Sequence, residues 1–64
     1  MNEKRAREIL AEYIQEDDSL ISDSLRTDTK YINYYPSSKS VTLDDKFSAE
    51  ELEAIVWWMK NKNK

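Results

Sequence analysis

The chain lacks three residue types on which small proteins and enzymes often depend: histidine, cysteine and glycine. Without cysteine there are no disulfides, and without cysteine and histidine the usual ligands of zinc, iron and copper are missing. The commonest general base and the most reactive nucleophile are missing as well. We therefore expect no metal site, no cofactor and no catalytic residues, and turns built from Asn, Asp, Ser and the single Pro36.

The chain also lacks long apolar runs and an excess of positive charge. No apolar stretch approaches the roughly 20 residues that span a bilayer, and residues 1–5 lead into no apolar segment of a signal peptide. The net charge of −3 argues against direct binding to nucleic acid, which usually requires a basic patch. The sequence thus predicts an intracellular protein without a membrane segment, which acts by binding a partner.

With 64 residues, the chain has room for a single domain, residues 1–64, around one modest core. Self-association is the one common support for so small a core that this composition leaves open. Apolar residues at helical spacing predict a helix over residues 3–15. Residues 16–29 are polar and acidic, and we expect them to form a solvated connection.

Residues 30–44 have the pattern of a β-hairpin. Tyrosine and isoleucine are frequent in the first half, the second half alternates between polar and apolar residues, and a proline and two serines lie between them. The period of two places Ile32 and Tyr34 on one face. Val41 and Leu43 are their expected cross-strand partners.

The strongest local signal belongs to a second helix, predicted over residues 49–60. Ser48 and Glu51 have the spacing of a capping box, in which each side chain accepts a hydrogen bond from the other residue's backbone N–H. The order helix–strand–strand–helix predicts a small α+β domain of the αββα type. In this fold a two-stranded antiparallel hairpin packs against two helices.

This second helix is apolar around most of its circumference. Its predicted core stripe has four members: Leu52, Ile55, Val56 and Met59. Trp58 flanks the stripe, whereas Trp57 lies roughly 150° from its centre. Two interpretations of Trp57 remain open, a core residue covered by its own chain or an anchor for another molecule. We predict a homodimer through this helix, with Ala54, Trp57 and Trp58 at the interface.

Four carboxylates form a second candidate surface, an acidic one: Glu16, Asp17, Asp18 and Asp23. One interpretation is that they imitate a phosphate backbone, which would make the protein an inhibitor of a host or defence nucleic-acid-binding protein. The other is that the charges form an ordinary solvated face. Mimicry predicts partner binding that weakens steeply as salt rises, whereas an apolar interface responds little.

Residues 31–34 and 41–59 resemble a family of short phage and prophage proteins. These proteins pair a "YISW"-like strand with a "LDG-F-TADELEAIAWWM"-like segment, and residues 7–10 fit their N-terminal "REIL". The chain departs from the pattern at Tyr34, where Trp is common, and at Asp45, where Gly is usual. The resemblance implies a shared αββα unit and a phage or prophage context, hence the cytoplasm of a bacterial host and a host protein as a second candidate partner. It implies no activity.

Overall fold

The computed structural model describes residues 1–22 and 30–62, and it has the predicted α+β architecture. Its elements, in chain order, are helix α1 (Glu3–Leu10), a short 3-10 helix (Ala11–Tyr13), strand β1 (Ile32–Tyr35), strand β2 (Ser40–Leu43) and helix α2 (Ala49–Asn61). The strands form a two-stranded antiparallel sheet, and α1 packs against α2.

Helix α1 is shorter than the predicted helix over residues 3–15. It begins at the N-cap Asn2, whose side-chain oxygen accepts a hydrogen bond from the Arg5 backbone N–H at 2.8 Å. It ends because Ala11 takes a φ of 37°, a left-handed value that α-helix cannot continue through. The Tyr13 carbonyl then accepts a hydrogen bond from the N–H of Ile21, so a contact with the returning chain replaces further helical bonds.

The chain after α1 folds back in a tight polar turn. Ile14 pairs with Leu20 as an isolated antiparallel bridge. Within the turn, the Asp17 carboxylate accepts hydrogen bonds from the backbone N–H and the hydroxyl of Ser19, and Asp18 has a φ of 68°. Aspartate tolerates this left-handed conformation better than most residues, which suits a chain without glycine.

The hairpin pairs the residues that were expected to be cross-strand partners. Ile32 pairs with Leu43 and Tyr34 pairs with Val41, and both β1 side chains point into the core. The expected cross-strand partners are therefore confirmed. In the turn that connects the two strands, the last residue, Lys39, has a φ of 51°.

The capping box of α2 is confirmed in both directions. The Ser48 hydroxyl accepts a hydrogen bond from the Glu51 N–H at 3.1 Å, and the Glu51 carboxylate accepts one from the Ser48 N–H at 2.8 Å. The helix runs one residue beyond its predicted end at residue 60. These two bonds satisfy donors that would otherwise be unpaired at the start of the helix.

The core draws on both helices, the hairpin and the polar turn. Its buried members are Ala6, Leu10, Tyr13, Leu20, Ile32, Tyr34, Ala54, Ile55 and Trp58. The predicted core stripe of α2 is wrong for Leu52 and Val56, which are exposed. The buried face of α2 is turned from the predicted one by roughly 100°, the angle that separates consecutive residues on a helix.

Candidate protein–protein interface on helix α2

Trp58 is the largest side chain of the core, and it is completely buried. Its indole N–H donates a hydrogen bond of 2.6 Å to the backbone carbonyl of Asp18, in the polar turn. The guanidinium of Arg7 on α1 lies 5.1 Å from the centre of the indole ring, within the range of a cation–π contact. Trp58 thus joins α2 to α1 and to the turn, and the polar edge of its ring is satisfied inside this chain.

Two of the three predicted interface residues therefore belong to the core. Ala54 and Trp58 are both completely buried, so neither side chain has surface to offer a second molecule. The prediction failed because it placed the buried face of α2 on the Leu52 and Val56 side. The hydrogen bond from the Trp58 N–H and the contact of its ring with Arg7 favour an orientation turned by roughly 100°, which leaves these two aliphatic side chains outside the core.

Trp57 remains at the surface, as the prediction of an interface anchor requires. It is half-buried, and its ring lies 5.9 Å from that of Trp58 at an angle of 53°. The Trp57 carbonyl accepts a hydrogen bond of 2.8 Å from the side chain of Asn61, one turn further along α2. The core thus supports one side of Trp57, and the remainder of the ring faces outward.

An open apolar groove runs along this outward side of α2. We call it the α2 groove. It has a volume of about 400 Å³ and seven lining residues: Met1, Leu52, Glu53, Val56, Trp57, Lys60 and Asn61. Leu52, Val56 and Met1 have 41%, 48% and 47% of their surface exposed. Contiguous exposed apolar side chains around a tryptophan are typical of an interaction site.

Two opposite charges lie within the α2 groove. Glu53 and Lys60 are exposed, and neither forms an ion pair with any residue in the described part of the chain. They are seven residues apart, which is about two turns, so both lie on one line along the helix. Sequence reasoning missed both residues, although their spacing and their position beside Trp57 were available as a signal.

Ion pairs between the helices position the groove. Arg5 of α1 pairs with Glu50 at the start of α2, and Glu3 pairs with Lys62 at its end, at 3.4 Å. Hydrogen bonds from Arg7 and from Lys62 lower the pKa of the Glu3 carboxyl. These contacts hold the beginning of α1 against α2, and Met1 consequently lines the groove.

The acidic surface is only partly available to a partner. Asp17 accepts two hydrogen bonds from Ser19, and Asp18 pairs with Arg7 at 3.3 Å. Glu16 is exposed, and Asp23 lies outside the described residues. Two of the predicted carboxylates therefore stabilise the turn that holds Trp58.

Within residues 1–22 and 30–62, no group of three or more acidic residues is placed to hold a metal ion. The helices of this part of the chain are too short and too polar to cross a membrane. The architecture is that of a small α+β protein with an apolar groove on one helix. Comparison with known proteins found no matching family model, no matching curated protein and no matching solved structure. The resemblance to phage and prophage proteins stays a prediction.

Proposed function

We propose that this protein is a small non-catalytic accessory module that acts by protein–protein interaction and forms a homodimer through the α2 groove. The observation that carries the proposal is the exposed apolar surface of Leu52, Val56 and Trp57, on the side of α2 that faces away from the core. A helix that is apolar on both sides is usually covered on both sides. Among the described residues, the chain covers only one of the two apolar sides of α2.

The proposed context is a phage or prophage, with the cytoplasm of a bacterial host as the location. Its support is the resemblance of the hairpin and α2 to that family. A host protein that binds the same groove is the second candidate partner. The absence of histidine and cysteine supports a role without catalysis, because the commonest general base and the most reactive nucleophile are missing.

Acidic mimicry of nucleic acid has less support than this proposal. Asp17 and Asp18, two of its four residues, have hydrogen-bonding or ion-pairing partners inside the chain. The two functions differ in their response to salt. Partner binding through an acidic face should weaken steeply as salt rises, whereas binding through the apolar groove should change little.

Sedimentation equilibrium over a wide concentration range tests the homodimer. We expect wild type to dimerise and Trp57→Ala to weaken the dimer by about 2 kcal/mol or more, as for other central tryptophan anchors. Val56→Thr should also weaken it, because it exchanges a methyl group for a hydroxyl with little change in shape. Tyr35→Ala is the matched control, since Tyr35 is an exposed aromatic residue away from the groove.

Circular dichroism on each variant separates lost assembly from lost folding. A folded monomeric Trp57→Ala, together with a dimeric Tyr35→Ala, supports the proposal. If Trp57→Ala loses its structure, Val56→Thr provides the test, because Val56 has no place in the core. A wild type that stays monomeric at the highest concentrations rules out the homodimer.

A further inference from the structure

The charges of the α2 groove have a symmetry that bears on how two copies meet. Glu53 and Lys60 lie equally far, about 5 Å along the helix, on either side of the midpoint between Val56 and Trp57. Between them lies the apolar centre of the groove. The groove therefore has a negative end and a positive end around an apolar middle.

A two-fold axis that lies in the interface beside that midpoint, perpendicular to α2, brings opposite charges together. Under this operation Glu53 of each copy faces Lys60 of the other, and Val56 and Trp57 lie beside their own equivalents on the two sides of the axis. The interface is isologous, so the Glu53–Lys60 contact occurs twice. Two ion pairs then flank an apolar centre, which is the usual distribution of polar and apolar groups in an interface.

The parallel alternative has the opposite electrostatics. With the two α2 helices parallel and in register, Glu53 would face Glu53 and Lys60 would face Lys60. Like charges that face each other repel, and this repulsion destabilises the parallel dimer relative to the antiparallel one. Neither charge has an ion-pair partner among the described residues, so the antiparallel dimer forms its pairs without breaking any ion pair within that part of the chain.

We infer that the occupant of the α2 groove is the α2 helix of a second copy, antiparallel to the first, held in register by two reciprocal Glu53–Lys60 ion pairs around Val56 and Trp57. This inference rests on the proposed homodimer and specifies its geometry. The apolar centre supplies most of the affinity, and the ion pairs select the orientation.

Charge-reversal variants test this register, because two variants that each weaken the dimer should restore it when they are mixed. Glu53→Lys places lysines opposite each other at both ends of the interface, and Lys60→Glu does the same with glutamates. Each variant alone should bind itself about tenfold more weakly than wild type, equivalent to about 1.4 kcal/mol. An equimolar mixture of the two should restore the dimer, because every lysine then faces a glutamate. The double variant Glu53→Lys/Lys60→Glu should restore it as well.

Two control variants carry the same changes in net charge outside the groove. Glu16→Lys and Lys46→Glu alter exposed residues with no ion pair among the described residues. Neither should change the dissociation constant by more than about twofold. In about 1 M salt, where the screening length is roughly 3 Å, the difference between the reversed variants and wild type should shrink.

The outcomes separate this inference from the proposed function. Weakening by each single variant, with rescue in the mixture, supports the antiparallel register. A wild-type dimer whose reversed variants behave like the controls, or whose mixture shows no rescue, overturns the register and leaves the homodimer in place. A wild type that is monomeric at all concentrations overturns both.

Discussion

Two tyrosines of the core, Tyr13 and Tyr34, differ in the hydrogen bonding of their hydroxyl groups. The Tyr13 hydroxyl accepts a hydrogen bond of 3.0 Å from the backbone N–H of Lys30. The Tyr34 hydroxyl is buried and has no hydrogen-bond partner among the described residues. A buried polar group without a partner costs stability, whereas a paired one makes a small net contribution.

This difference predicts opposite effects of the same substitution. Tyr34→Phe should raise the free energy of unfolding by up to about 1 kcal/mol, because it removes a desolvated hydroxyl and keeps the ring. Tyr13→Phe should lower it by about 1 kcal/mol, because the Lys30 N–H loses its acceptor. Urea denaturation followed by circular dichroism measures both. Equal losses for the two variants would show that the Tyr34 hydroxyl does have a partner.

At the scale of the element, Glu51 connects α2 to Lys30, two residues before strand β1. Its carboxylate accepts a hydrogen bond from the Ser48 N–H in the capping box and pairs with the Lys30 ammonium at 2.8 Å. The hydrogen bond from Lys30, followed by that from the Ser48 backbone, lowers the pKa of Glu51 below its ordinary 4.5. The same Lys30 ammonium lies 5.1 Å from the centre of the Phe47 ring.

The lowered pKa predicts a stability that depends on pH. Because folding favours the ionised carboxylate, its contribution is fully present above the unfolded pKa and is lost as pH falls through the lower folded pKa. Glu51→Gln should therefore cost about 0.5–1 kcal/mol at pH 7, a magnitude suited to a partly exposed pair. The difference from wild type should disappear as the pH falls below the ordinary range of glutamate.

Denaturant titrations between pH 7 and pH 2 measure this difference. Glutamine can still accept the capping hydrogen bond, so the substitution tests mainly the charge. Glu16→Gln is the control, since Glu16 has no ion pair within the described residues. A gap between Glu51→Gln and wild type that stays constant with pH would contradict the assigned role of the ionised form.

At the scale of the whole molecule, the size of the core makes self-association relevant to stability. A chain of 64 residues buries only about 60% of the surface that its unfolded form exposes. Burying the α2 groove against a second copy would add apolar contacts that the described monomer lacks. Assembly and folding are then coupled through protein concentration.

This coupling predicts a melting temperature that depends on concentration. The Tm of wild type should rise by about 3 °C for each tenfold increase in protein above the dissociation constant. The Tm of Trp57→Ala should stay constant at concentrations too low for its weakened dimer to form, and should begin to rise only at a higher concentration than that of wild type. Thermal melts by circular dichroism at several concentrations measure both. A wild-type Tm that does not change with concentration would contradict coupled assembly.

Much of the fold was predictable because its signals are local. Alternation predicted that Val41 and Leu43 are the cross-strand partners of Ile32 and Tyr34, and the Ser48–Glu51 spacing predicted the start of α2. Each signal involves residues that lie next to each other in the element itself. The end of α1 was not predictable in this way, since the chain leaves the helix at Ala11 to form hydrogen bonds with residues beyond the turn.

The sequence by itself determined the elements and their order, because caps, turns and alternation act over a few residues. Only the tertiary structure decided which side of α2 is buried. Apolar residues surround that helix, so helical periodicity could not distinguish its two sides. The choice follows from Trp58, whose N–H finds its acceptor in Asp18, 40 residues away, and whose ring lies against Arg7. With Trp58 inside, Leu52 and Val56 are left outside, and they form the α2 groove with Trp57.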